Sequence, residues 1–227
     1  GTRVPLIISG YPKYDQNNLN TSFVNLLDLM PTFLDLAGIK NQSAVDGKSL
    51  LPVLKGQTST HREEVFLERE RHCLCRAEMD YGAGYPMRAI RTSRFLYIRN
   101  FRPDRNQAGD ESIPGTPSIY GDVDGGLTKM YLLDHRNEPE ISPYFRLGFE
   151  KRPAEELYDI KTDPYNIHNL AAVKQYEAIK TSLSKRLDEW MKASHDPRRD
   201  GKGDEIDRYE STTHAWITRD GIIFWDK

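Results

Sequence analysis

Short apolar runs, separated by polar turns, predict a chain of several strands and a few helices. The predicted strands are rich in Val, Ile, Leu, Tyr and Phe, and their bounds are 4–9, 64–70, 85–90, 94–100 and 156–160. Two of them, 85–90 and 94–100, form a hairpin that turns at Thr92 and Ser93. The apolar pairs near the end of the chain predict a second hairpin around Asp220 and Gly221.

Helical periodicity is clearest late in the chain. Apolar side chains recur there every three or four positions, at Val173, Tyr176, Ile179, Leu183, Leu187, Trp190 and Met191. This spacing predicts an amphipathic helix of about 20 residues. A shorter helix is predicted after Asp28 as its N-cap, with Pro31 in the first turn and Gly38 at its end. Its apolar face is predicted to contain Phe33, Leu34, Leu36 and Ala37.

The long stretch 101–153 is rich in Gly, Pro, Asp and Asn and predicts a binding loop or a segment that covers a partner. Within it, residues 127–134 have a helical pattern. Residues 198–208 are charged and are expected to be flexible. Residues 121–126 resemble part of a calcium loop but lack its third acidic position and distal Glu, so a sharp turn is favoured.

Composition and charge exclude some classes of function. The 227 residues contain 32 Lys and Arg against 34 Asp and Glu, so the formal net charge is −2. This balance gives no general surface for nucleic acid. No apolar run approaches the roughly 18 residues of a membrane span. The chain is long enough to bury a core as one large domain or two small ones.

The two cysteines, Cys73 and Cys75, are separated by one residue. A disulfide across so short a loop is expected to be strained, and His72 with the cysteines forms only half of a zinc site. Buried free thiols are therefore the favoured interpretation. The histidines at 61, 135, 168, 195 and 214 stand beside charged or turn residues and are expected at the surface.

The densest group of ionisable residues is the segment 68–72, with the sequence ERERH. On a strand, Glu68, Glu70 and His72 share one face, whereas Arg69 and Arg71 share the other. Guanidinium groups suit sulfate, phosphate or carboxylate because they donate two parallel hydrogen bonds. The alternative is an edge strand whose alternating charges are simply solvated.

Four stretches together resemble the C-terminal half of sulfatases. Residues 1–8 resemble the strand that follows the family's GxRVPxI turn, and 27–38 (LDLMPTFLDLAG) resemble its DLxPTLLDLAG helix. Residues 46–54 (DGKSLLPVL) are similar to DGxSLLPxL, and 156–171 to ELYDLxxDPxExxNLA. The stretch 85–88 and the following hairpin are most similar to heparan N-sulfatases (sulfamidases) and their bacterial relatives.

The resemblance implies an alkaline-phosphatase-like fold of class α/β, whose C-terminal part is α+β. In that part a small antiparallel sheet packs with a long amphipathic helix. Residues 1–55 are then the last strand and helix of an incomplete catalytic domain, and 56–227 form the C-terminal domain. The resemblance also implies hydrolysis of sulfate esters or sulfamates and a periplasmic or secreted location. The complete enzyme would use a formylglycine and a calcium ion.

This sequence lacks the Cys/Ser-x-Pro-x-Arg motif from which formylglycine is made, so no catalytic or metal residue carries over. The missing segment is expected to precede Gly1 in an N-terminal catalytic part, and the chain alone is expected to be inactive and to hold neither cofactor. By position in the family fold, Glu68, Arg71, His72 and Arg88 are predicted to contact the substrate, a sulfated glycan or small sulfate ester.

Two alternatives remain open at this stage. In the first alternative, the chain is a non-catalytic module that binds glycan or another protein chain. In the second, it is part of a phosphoryl-transfer member of the same superfamily. In an incomplete domain, the apolar sides of residues 4–8 and of the helix after Asp28 would be exposed. A homodimer, a domain rearrangement or a partner is expected to cover them.

Overall fold

The computed structural model describes residues 4–9, 19–40, 45–78, 83–112 and 119–209, and the backbone of 215–217 and 223–225. The chain divides into two compact units, 1–65 and 66–227. This division lies ten residues after the boundary predicted at 55. The assignment of 1–55 to a catalytic domain and of 56–227 to a C-terminal domain stays a prediction.

In the first unit, a 3-10 turn Leu26–Asp28 leads into helix α1 (Leu29–Leu36), and a short helix α2 (Leu51–Leu54) follows. Asn25 caps the 3-10 turn, and its side chain accepts a hydrogen bond from the Leu27 N–H. The predicted end of α1 is confirmed, because Gly38 adopts φ +70°. The predicted capping of α1 by Asp28 is wrong, since its side chain makes no cap hydrogen bond to that helix.

Asp28 is instead a buried carboxylate that holds the first unit together. Its oxygens accept hydrogen bonds from the backbone N–H of Asn25 (2.9 Å) and of Lys48 (2.8 Å), and from the Arg62 side chain. The His61 ring nitrogen Nε2 lies 2.9 Å from Oδ2. His61 is buried, so its predicted surface position is wrong, because the carboxylate and the ring satisfy each other away from water.

The apolar side chains of the first unit are largely exposed. Residues 4–9 form no strand, and Val4 and Ile7 face solvent, so the predicted buried strand is wrong for this chain. Phe33 and Leu36 of α1 are exposed as well, whereas Thr32 is buried. A strand needs neighbours for its backbone hydrogen bonds, and the described part of this unit supplies none for residues 4–9.

The centre of the second unit is a four-stranded sheet in the order β1 (Glu64–Arg69), β2 (Met87–Thr92), β3 (Phe95–Asn100) and β4 (Glu155–Asp159). β2 pairs with β3 and β3 pairs with β4, both antiparallel. The Thr92 hydroxyl accepts a hydrogen bond from the Phe95 N–H at 3.0 Å and closes the hairpin. The four strands and the hairpin predicted from the sequence are confirmed.

Helix α5 (Glu177–Ala193) packs on one face of this sheet, after a 3-10 turn Lys174–Tyr176. Its Leu183, Leu187 and Met191 are buried against side chains of the sheet, namely Ile90, Tyr97 and Leu157. The ring of Phe66 stacks on Trp190, with 4.9 Å between the ring centroids. The amphipathic helix is confirmed, and with it the small antiparallel sheet packed against a long helix that defines the fold class.

The long segment between β3 and β4 contains two helices, α3 (Leu127–Asp134) and α4 (Ser142–Phe149). The first was predicted, whereas α4 was missed because Pro143 and Gly148 interrupt its pattern. Phe149 packs with Ala108 and Tyr120 in a small separate core. This segment therefore has its own hydrophobic centre.

After α5, a 3-10 turn Gly203–Arg208 follows, and strands β5 (Ala215–Ile217) and β6 (Ile223–Trp225) pair antiparallel. The predicted terminal hairpin is confirmed, although its turn at Asp220 and Gly221 lies outside the described residues. None of the described helices combines the length and apolarity that would let it cross a membrane.

Candidate functional site: the end of strand β1

The candidate site begins where β1 leaves the sheet. The strand ends at Arg69, and beyond it the Glu70 carbonyl oxygen accepts a backbone hydrogen bond from the Tyr85 N–H (3.2 Å). The side chains of Glu68 and His72 are 65% and 68% exposed. The segment 68–72 therefore presents an acidic and an imidazole group to solvent, with Arg71 half-buried between them.

The predicted division of this segment into two faces is wrong beyond Arg69. Glu70 turns toward buried arginines, whereas Arg69 and His72 both reach the same carboxylate, that of Asp122. The alternation of a strand requires a continued ladder, and the strand has already ended at this point.

Asp122 fixes the His72 ring. The ring nitrogen Nδ1 lies 2.8 Å from Asp122 Oδ1. Oδ2 accepts a hydrogen bond from Arg76 Nη2 (2.8 Å) and forms an ion pair with Arg69 Nη2 (2.6 Å). Burial by itself would raise the pKa of Asp122, but the hydrogen bonds from Arg76 and His72 outweigh it and lower the pKa below its ordinary value. Asp122 therefore stays ionised and orients an exposed imidazole.

Beneath the segment, Arg88 is 2% exposed. Its guanidinium donates to both oxygens of Asp196 and to Glu70 Oε1 (2.7 Å), and its Nε lies 3.8 Å from Glu68 Oε2. Burial alone would lower the pKa of Arg88, but the hydrogen bonds of Asp196 and Glu70 raise it. Arg88 is thus engaged by carboxylates in the interior, and its contact with a glycan stays a prediction.

Sequence reasoning missed the residues that support this site from the C-terminal side. Arg198 is 5% exposed and donates to Glu70 Oε2 (2.7 Å) and to Asp204 Oδ1 (2.7 Å), so the expectation that 198–208 is flexible is wrong. Asp207 accepts from the Gly84 N–H (3.0 Å) and from Arg105 (2.6 Å). The one sequence feature that pointed to these residues was the alternation of Asp and Arg after the helix. By itself, such alternation indicates a solvated surface.

Cys73 and Cys75 form a disulfide, with 5.5 Å between their Cα atoms, so the prediction of free thiols is wrong. The backbone turns between them and brings the Cα atoms to an ordinary separation for a disulfide. The bond closes the loop directly after His72.

Within the described part of the chain, His72, Cys73 and Asp122 are the one group of three His, Cys, Asp or Glu residues with ligand atoms close enough together for a metal ion. The Cys73 sulfur is consumed in the disulfide, and Asp122 already carries two guanidinium groups. Positive charges next to the carboxylate oppose a cation. These residues therefore do not fit calcium, and no residue of the sequence fits the formylglycine motif.

The class of protein follows from comparison with known proteins: this chain is homologous to the C-terminal part of sulfatases. The family model described as N-sulphoglucosamine sulphohydrolase, C-terminal, matches residues 1–106. The resemblance inferred from the four sequence motifs is confirmed.

Two curated relatives define the extent of the similarity. The ulvan-active sulfatase of Formosa agariphila is 30% identical over 196 residues, which are 86% of this chain and 34% of that protein. The N-sulphoglucosamine sulphohydrolase of Homo sapiens is 26% identical in an alignment of 211 residues, which covers 87% of this chain and 38% of the relative. The chain thus spans about a third of the length of the curated relatives it matches.

Among solved structures, one of a 2-O GAG sulfatase aligns with this chain. The alignment covers 77% of this chain and 26% of the sulfatase chain. The identity is 24% and the TM-score is 0.45.

Proposed function

We propose that this chain is the C-terminal region of a sulfatase that hydrolyses sulfate esters or sulfamates of sulfated glycans. In this proposal Glu68, Arg71 and His72 form part of the wall that contacts the sugar. The chemistry at the sulfur would belong to a separate catalytic part of the complete enzyme, together with its formylglycine and calcium ion. Such a protein acts in the periplasm or outside the cell.

The observation that carries the proposal is that exposed polar side chains at the end of β1 lie beside carboxylates that are bound by buried arginines. Glu68 and His72 are two-thirds exposed, whereas their neighbours Glu70 and Asp122 are fixed by buried arginines. A solvated charged strand needs no such support, because exposed side chains are satisfied by water. Charge-assisted hydrogen bonds to a sugar contribute about 1.5–3 kcal/mol each when they are positioned in advance.

His72→Gln in the complete enzyme tests the proposal. The substitution removes the imidazole from the wall, and we expect kcat/KM for a sulfated oligosaccharide to fall by about tenfold. The measurement is initial-rate sulfate release. His168→Gln is the matched control, since His168 is also exposed and lies beside an aspartate, Asp163, after β4.

Equal rates for His72→Gln and the parent enzyme would remove His72 from the substrate wall. A parent enzyme that binds the oligosaccharide without releasing sulfate would instead favour the non-catalytic binding module. Release of phosphate from a phosphate monoester, together with no release of sulfate from the oligosaccharide, would favour a phosphoryl-transfer enzyme.

A further inference from the structure

The segment 70–72 lies beyond the sheet, so its conformation depends on contacts other than a strand ladder. The Glu70 carboxylate is the point where these contacts converge. It accepts from Arg88 Nη2 (2.7 Å) on one oxygen and from Arg198 Nη2 (2.7 Å) on the other. Arg198 comes from the segment after α5, 128 residues along the chain.

A second contact from the same C-terminal segment supports the backbone of residues 70–71. Asp207 accepts from the Gly84 N–H (3.0 Å), and Arg105 bridges the Gly84 carbonyl oxygen (2.9 Å) and Asp207 (2.6 Å). A side chain at position 84 would lie only 3.1 Å from the Arg71 nitrogen. Gly84 is therefore pressed against the backbone of the candidate site and is held there by Asp207.

The centre of this network is a set of ion pairs whose arginines are buried. Three arginines, Arg88, Arg105 and Arg198, meet three carboxylates, Glu70, Asp196 and Asp207. Buried ion pairs of this kind contribute little net stability compared with an apolar core, but they fix one arrangement of the groups they connect. Ion pairs of this kind beside an exposed charged segment can specify the geometry of that segment.

We propose that Arg198 is a positioning residue, which acts through Glu70 to hold Arg71 and His72 in the arrangement that binds a sulfated glycan. This inference rests on the proposed function of the end of β1. Arg198 itself is buried and does not touch the substrate. Its contribution is to reduce the ordering that the segment would otherwise undergo on binding.

The test is carried out in the complete enzyme with the variant Arg198→Met, and sulfate release from a sulfated oligosaccharide is the readout. We expect KM to rise about tenfold while kcat changes by less than about twofold, because the displaced groups bind the sugar and not the sulfur. Arg94→Met is the matched control. It breaks an ion pair with a buried carboxylate, Asp159, at the other end of β3, and should leave KM unchanged.

Two further variants separate positioning from simple loss of stability. Gly203→Ala keeps the charge of Arg198, but the added methyl group would collide with the Cγ, Cδ and Nε atoms of its side chain. It should therefore reproduce the rise in KM. The double variant Glu70→Gln/Arg198→Met should have a KM no higher than that of the single variant with the higher KM, because both substitutions remove the same contact between Glu70 and Arg198.

The outcomes are distinct. A parent enzyme that releases no sulfate overturns the proposed function and this inference with it. An active parent whose KM is the same in Arg198→Met, or whose KM rises equally in Arg94→Met, overturns the positioning role alone. A thermal-unfolding curve verifies that each variant is folded at the assay temperature. If Arg198→Met is unfolded there, the KM of Gly203→Ala decides whether Arg198 positions the segment.

Discussion

Asp28 and Asp122 are both buried aspartates held by arginine, and they serve different ends. Asp28 joins α1 to the loop at Lys48 and to His61, and so holds a piece of the first unit together. Asp122 joins Arg69 and Arg76 to an exposed histidine. At the scale of single residues, the surroundings of the carboxylate decide whether it supports the fold or prepares a surface for a ligand.

The pH dependence of stability should report the environment of Asp28. Burial by itself would raise its pKa, but hydrogen bonds from Arg62, from backbone N–H groups and from His61 lower its pKa well below the ordinary value of 3.8. A carboxyl group whose pKa is lower in the folded state stabilises the fold fully at pH values above its unfolded-state pKa. This stabilisation is lost as the pH falls from there through the folded-state pKa.

We therefore expect Asp28→Asn to lower the free energy of unfolding by about 3 kcal/mol at pH 7 and by less at pH 3. Urea unfolding at the two pH values measures this difference. Asp35→Asn on the exposed side of α1 is the control and should have little effect. If Asp28→Asn lowers the free energy of unfolding equally at both pH values, the lowered pKa of Asp28 is contradicted.

At the scale of elements, strands and helices with regular patterns were predictable, and irregular ones were not. The strands of the four-stranded sheet and helix α5 follow from alternation and from three-to-four-residue spacing, because their contacts repeat along the chain. Helix α4 contains Pro143 and Gly148 and was missed. The run at residues 4–9 has the composition of a buried strand, but no described strand lies beside it.

The packing of α5 on the sheet predicts a large effect of Leu187→Ala. Leu187 has no exposed surface and lies in the cluster with Ile90, Tyr97 and Leu157. Its truncation should cost about 2–5 kcal/mol in chemical unfolding, since it leaves a cavity in a closely packed core. Leu127→Ala, at a leucine that is 91% exposed, is the control and should change stability by less than about 0.5 kcal/mol.

At the scale of the whole molecule, the proposal that a separate catalytic part carries out the chemistry at the sulfur gives the broadest prediction. The sequence has no formylglycine motif, and the described His, Cys, Asp and Glu residues that lie close together do not fit a cation. We expect the purified 227-residue chain to release no sulfate from a sulfated oligosaccharide, with or without added calcium. Metal-dependent release above that of a heat-denatured sample would contradict this expectation.

The sequence by itself determined the periodic elements, the relation to sulfatases and the charged segment at the end of β1. These features are local, since each is read from neighbouring residues. Only the tertiary structure decided which charges are buried and which face solvent. Glu70 meets Arg198 across 128 residues and His72 meets Asp122 across 50, and no local pattern encodes such pairs. Such distant charges are brought together by the tertiary packing, and burial makes an unpaired charge costly.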